Sequence, residues 1–403
     1  MTAQLWRKDI SLFCGKYLMY FLPIMFFGYL MLDSYQVDFR AMYVSGKAAL
    51  LGWDPYLNHV GVRPDFYAPL NGDDDPGSGY RYPPFAAIFL FIPFSLLPYL
   101  TAKVVFTVLM VVVFGMLCFF VARRSDFKTP ESAILFALVS FPMLALIDRG
   151  QIDIFVTYLA VLSFGFWQQR QQTLLAAFLL AIAVMTKLFP IVLLSFYCFR
   201  RQWRMVSYTL MWAIGLFLLP LPYFGRSTYE NFFKQLLPDR LGEVTSNLPM
   251  DLHGQGVGPY RIVQSIETTG LSSMKDFGNG YMTQIPPHHP WTLILVGLLL
   301  SVLLLIATHR CPTDFQFYAF LNMVFLFNPI AWIMGLVWYI PFFLYLSSSV
   351  SKVGLWLLLL PLFLPPFLNA NGIAAYVMCI VLALGWQIPS WQKVLFRGQP
   401  ALP

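Results

Sequence analysis

Long apolar runs with very little charge divide this chain, and they restrict its fold more than any other feature. One is Leu100–Val121, closed by Arg123 and Arg124; others fall near 11–32, 130–147, 152–167, 173–186, 188–199, 205–223, 290–308, 313–331, 334–350, 353–368 and 373–389. A helix crosses the hydrocarbon of a bilayer with about 20 apolar residues. Of the 403 residues, 58% are hydrophobic and 11% charged, whereas a soluble domain carries about 25% charged residues. That is too little charge to coat a water-soluble surface. The chain reads as an all-α polytopic membrane protein, and disorder, a nucleic-acid-binding module and a disulfide scaffold are poor fits.

The piece 83–98 holds four prolines and is short for a crossing, so the expectation is a helix lying in or dipping into the interface. Counting the rest gives about twelve spans with both termini cytoplasmic. The inner turns then carry Arg123, Arg124, Lys128, Arg170, Arg200, Arg201, Arg204, Arg310, Lys352, Lys393 and Arg397, as the positive-inside rule prefers. The net charge of +7 therefore describes topology rather than affinity for nucleic acid. Arg7, Lys8 and Lys16 precede an apolar stretch without a small-residue cleavage site, which reads as an uncleaved first span. Two long outer segments remain, 33–98 and 224–289, both rich enough in aromatic residues to be ordered and to carry juxtamembrane helices.

Asp38 stands first among the residues that could do chemistry. It opens a helical pattern (Phe39, Tyr43, Gly46, Leu50), where it would serve as an N-cap, as a general base at the membrane face, or as both. Lys187 lies between apolar runs in Thr186–Lys187–Leu188–Phe189–Pro190. A snorkelling lysine is one reading; an intramembrane cation that meets a phosphate is the other. Asp148, Arg149, Gln151 and Asp153 crowd one outer turn, where an aspartate and the arginine could simply pair with each other. His253–Gly254–Gln255–Gly256 and Arg261 lie in the second long segment, where glycine would let backbone approach a ligand, or simply make a turn.

Metal chemistry finds little support. Asp73, Asp74 and Asp75 lack the alternating ligand spacing of a calcium loop, and His288–His289 lacks a third ligand. The five cysteines, Cys14, Cys118, Cys198, Cys311 and Cys379, are odd in number and without metal-type spacing. No metal or other cofactor is expected.

Taken in order, these residues resemble glycosyltransferase family 87, polyprenyl-phosphate-sugar-dependent enzymes of the GT-C membrane fold that include mycobacterial mannosyl- and arabinofuranosyltransferases. The resemblance rests on Asp38–Phe39, Tyr43 and Gly52–Trp53–Asp54–Pro55–Tyr56; on Tyr82–Pro83–Pro84–Phe85 running to Pro93 and Leu97–Pro98; on Gly150–Gln151–Ile152–Asp153, where the family more often ends in Asn; and on Lys187–Leu188–Phe189–Pro190 with Ile191 and Leu194. There are two departures. Gly254–Gln255–Gly256 keeps only part of an Asn-Gln-Ser-like motif before Arg261, and Pro329–Ile330–Ala331–Trp332 is followed by Ile333–Met334–Gly335 without the family's histidine.

The resemblance implies one integral-membrane catalytic domain over 1–403, in the plasma (inner) membrane with its site on the extracytoplasmic side. It implies inverting, metal-independent transfer of a hexose or pentose, mannose-like favoured, from a polyprenyl-phosphate donor to a hydroxyl of a glycolipid or glycan acceptor. Asp38 would be the base, with Lys187, Arg149, Arg81 and Arg261 on the donor phosphate. Tyr82, Gln151, Asp153, Tyr43, His253 and Gln255 would contact sugar or acceptor. Two other readings fit a chain of this kind: a lipid-linked-sugar flippase or transporter, and a non-catalytic assembly subunit that kept the fold. The candidate polar groups gather near the outer face and no repeat relates 1–200 to 201–403, which favours the enzyme.

Overall fold

The computed structural model describes residues 36–63, 78–124, 131–170, 172–236, 290–326, 333–365 and 371–397, with Met25 and Gly28. The described residues are helical, and the β-pairing among them is one isolated antiparallel bridge, Val350 to Phe396. Helix α1 spans Val37–Leu50. Pro84–Ser95 forms α2, interrupted by a π-helical turn over Ala87–Phe91. It is short, as expected for 83–98.

Tyr99–Ala122 is α3, the one described helix that is long and apolar enough to cross a membrane unaided. Its 24 residues reach about 36 Å at the helical rise. Glu131–Leu138 (α4) and Phe141–Arg149 (α5) form a pair bent by 47°. Asp153–Arg170 (α6) and Thr173–Thr186 (α7) pack along each other, followed by a 3-10 turn Phe189–Val192 and α8, Leu193–Phe199. Trp203–Leu218 (α9) turns through 95° into Leu221–Asn231 (α10).

The C-terminal part begins with α11, Pro290–Thr308, then α12, Thr313–Phe320, and α13, Met323–Leu326. A 3-10 helix over Ile333–Tyr339 continues as α14, Ile340–Leu346. Lys352–Phe363 (α15) and Asn371–Gln387 (α16) follow, and α17, Pro389–Leu395, lies at 118° to α16. Counting each bent pair as one span, up to four helices meet the length and composition needed to cross.

Helices apolar on all sides bury one face and leave the other for lipid. In α11, Leu295, Leu298, Leu299, Val302, Leu303 and Ile306 are exposed, a continuous greasy face that water would not tolerate. Inward, aromatic residues fill the core: Phe164 stacks on Phe317 with centroids 3.9 Å apart, and Phe39 on Phe106 at 4.4 Å. With its apolar helices facing both core and surroundings, the chain is a membrane protein.

Two close approaches set the geometry of the site. A Cβ on Gly46 of α1 would sit 2.6 Å from Phe91 O of α2, so only glycine lets these helices touch. Gly150 ends α5 in the left-handed region (φ 66°, ψ 45°), with Gly150 N–H donating to Ile147 O and Gln151 N–H to Leu146 O. This closing pattern of a helix favours glycine.

Candidate active site

The site is built around the turn from Arg149 to Asp153, whose residues reach four separate parts of the chain. Arg149 Nε donates to Asp38 Oδ2 at 2.7 Å and Nη2 to Oδ1 at 3.3 Å. Asp38 belongs to the first turn of α1, where a carboxylate is favoured by the helix dipole. The N-cap reading of Asp38 is corrected here: the cap position is Gln36, and the carboxylate is turned to Arg149. Asp148 precedes Arg149 in the helix, but Arg149 points to α1 because consecutive residues of a helix face different directions.

Gln36 has no precedent in the sequence reading. It is buried in a left-handed conformation (φ 47°, ψ 58°), uncommon for a residue with a side chain. Its Nε2 donates to Thr107 Oγ1 at 2.8 Å and Ile147 O at 3.0 Å, tying the start of α1 to α3 and α5. Gly150 completes this contact, since a Cβ there would fall 2.6 Å from Phe39 Cβ and 3.0 Å from Gln36 Cβ.

Gln151 Oε1 accepts from Tyr82 Oη at 3.0 Å. Tyr82 is positioned by the turn after α1: Asp54 Oδ1 accepts from Tyr56 N–H at 2.9 Å, Asp54 Oδ2 from Asn231 Nδ2 at 2.8 Å, and Tyr56 Oη donates to Tyr82 O at 2.8 Å. Burial, then the neighbouring Tyr80 and Asp54, pushes the Tyr56 phenol well above its ordinary range, so it keeps its proton and remains a donor. Asp54 thus folds the Gly52–Tyr56 segment, and its partner Asn231 carries no signal in the sequence pattern.

Asp153, 2% exposed, takes Lys187 Nζ at 2.6 Å on Oδ2 and Trp338 Nε1 at 3.1 Å on Oδ1. Lys187 follows the last residue of α7 with extended backbone (φ −150°, ψ 121°), so the change of direction at Phe189–Pro190 carries its side chain to α6. Two ion pairs therefore flank one turn, Asp38–Arg149 and Asp153–Lys187. Arg149 retains 20% exposure, Lys187 16% and Asp38 14%. Asp153 is sealed from solvent and the other three side chains are partly covered, so neither pair is a fully solvated surface contact.

Of the other expected residues, Arg81 is exposed beside Tyr82. Tyr43 is buried and donates to Leu97 O at 2.7 Å, joining α1 to the segment just after α2. His253, Gln255 and Arg261, with Asp73, Asp74, Asp75, His288 and His289, lie outside the described residues. Trp338, which meets Asp153, has no signal in the sequence, since an indole within an apolar run resembles any other core residue.

The arrangement offers a carboxylate with free lone pairs, two cations for an anionic group, and amide and phenol groups for hydroxyls. No curated protein matches the chain. Asp38 precedes the region that a family comparison recognises and joins it in space through Arg149. The model of glycosyltransferase family 87 matches residues 80–334, more than half of the chain and a stretch containing Tyr82, the Arg149–Asp153 turn and Lys187, and the protein belongs to that family.

Proposed function

We propose that this glycosyltransferase moves a sugar from a polyprenyl-phosphate donor to an acceptor hydroxyl at the extracytoplasmic face of the plasma membrane. The supporting observation is the convergence of Asp38–Arg149 and Asp153–Lys187 on one turn, both pairs partly open, beside helices with lipid-facing sides. The donor's chain stays in the bilayer while its phosphate reaches the two cations. The proposed topology has about twelve spans of the GT-C type, with both termini cytoplasmic and short helices completing bends in the membrane.

In the reaction, the acceptor oxygen attacks C1 of the sugar from the face opposite the phosphate. The C1–O bond to phosphorus breaks, its electron pair leaves with polyprenyl phosphate, and the acceptor proton passes to Asp38. Inversion follows from the single displacement. Arg149 engages Oδ2 of Asp38 closely and Oδ1 at the longer 3.3 Å; each carboxylate oxygen has more than one acceptor site, so Oδ1 is the oxygen for the incoming hydroxyl. Lys187 and Arg149 neutralise the charge that gathers on the departing phosphate, so the scheme calls for no metal. Arg81 and Arg261 extend that basic surround, and Tyr82, Gln151, His253 and Gln255 hold hydroxyls of sugar or acceptor.

The test uses the purified full chain in proteoliposomes with polyprenyl-phosphate mannose and a lipid extract as acceptor. Asp38→Asn is expected to lower turnover by about 10²-fold or more, while prenyl-phosphate binding stays within about threefold. Turnover near that of the unaltered protein would remove Asp38 as the base. Translocation of the donor without transfer would replace the enzyme reading by a flippase.

A further inference from the structure

Trp338 has no part in the scheme above, yet it is one of the largest fully buried side chains and spends its only polar atom on the acid that holds Lys187. The 3-10 helix Ile333–Tyr339 packs against both α5 and α6, the two helices on either side of the Arg149–Asp153 turn. An indole N–H can only donate. It therefore commits Oδ1 of Asp153 and leaves Oδ2 to the ammonium, at 2.6 Å. Without that commitment a carboxylate is free to rotate and take the ammonium between both oxygens. With it, one N–H of Lys187 is anchored, and two N–H groups remain for another anion.

Asp153 is 2% exposed against 16% for Lys187, so the lysine is the member of this trio that meets a ligand. We infer that Trp338 and Asp153 are positioning residues: through the chain indole–carboxylate–ammonium they aim Lys187 at the donor's phosphate, and Asp153 itself does not contact the sugar. This rests on the proposed reading of Lys187 as a phosphate contact and adds the apparatus that orients it.

A double-mutant cycle separates orientation from packing. The probe is farnesyl phosphate, titrated calorimetrically into the purified full chain in detergent. Lys187→Ala is expected to weaken binding about tenfold or more, and Trp338→Phe about three- to tenfold, through loss of a hydrogen bond to a charged group. In the Lys187→Ala background, Trp338→Phe should then change affinity by less than about twofold, because the residue it aims is gone. The same loss from Trp338→Phe in both backgrounds would mean packing alone and would overturn the inference. So would no loss from Trp338→Phe where Lys187→Ala is damaging.

If Lys187→Ala leaves farnesyl phosphate affinity unchanged, the phosphate reading falls first and this inference with it. Should the phenylalanine variant not fold, the benzothiophene analogue of tryptophan inserted at 338 keeps the ring shape and lacks the N–H. Its expected outcomes are the same.

Discussion

At the scale of single residues, the site depends on a position with no functional group. Gly150 is needed twice over: its φ of 66° lies where side chains are strained, and Phe39 occupies the place of a Cβ at 2.6 Å. Gly150→Ala must both accept the left-handed conformation and push α1 from α5. The expected cost is about 3 kcal/mol from strain and overpacking, read as a lower unfolding midpoint in detergent. Because Asp38 rides on α1, the same substitution should also reduce transfer more than the midpoint alone explains. A variant with unaltered midpoint and turnover would show that α1 has room to move. Gln36, strained in the same region of backbone space and held by Thr107 and Ile147 O, marks this contact as one the fold enforces from both sides.

At the scale of elements, α6 works as a strut with a polar pin at each end. Asp153 is at one end; at the other, Gln168 Nε2 donates to Asp314 Oδ1 at 2.5 Å, and Arg124 joins them, donating Nε to Asp314 Oδ2 at 3.4 Å and lying over the Phe164 ring. The pins do different work. Arg124→Leu leaves a partly buried Asp314 without its cation, at a cost of about 3 kcal/mol, while farnesyl phosphate affinity should stay within about twofold. A large loss of affinity with an unchanged unfolding midpoint would contradict this division.

The helical, apolar character of the chain was legible in the sequence, since composition and run length fix it; of the twelve spans expected, up to four meet the length and composition needed among the described residues. The shortness of the helix within 83–98 was legible too, because prolines bound the run at both ends. Carboxylate and cation partners were not. Proximity in sequence suggested an aspartate of the same turn for Arg149, but Arg149 finds Asp38 across 111 positions, and Asp153 finds Trp338 across 185. Charge type is written locally; which charges meet depends on how helices stack, and a one-dimensional pattern does not carry that.

At the scale of the whole molecule, the two polar groups pinned by α6 lie at opposite ends of an apolar helix. Between Asp153 and Gln168, α6 rises about 23 Å, somewhat less than the roughly 30 Å of a hydrocarbon core. Arg123, Arg124, Arg200, Arg201 and Arg204 belong to the end away from Asp38. Basic turns favour the cytoplasm, so under the topology proposed above the site faces the other side of the membrane, within reach of a phosphate carried on a prenyl chain.

This orientation can be read directly in a background with its native cysteines replaced by serine. Val62, 73% exposed in the segment after α1, and Arg201, exposed in the turn before α9, should lie on opposite sides. A membrane-impermeant maleimide applied to intact cells is expected to label Val62→Cys and spare Arg201→Cys until the membrane is opened. Labelling of Arg201→Cys alone would invert the topology, putting the site in the cytoplasm, where it would have to meet its donor from the other leaflet. Labelling of both in intact cells would mean that the two ends of α6 do not bracket a bilayer, and the lipid-borne donor would lose its physical rationale.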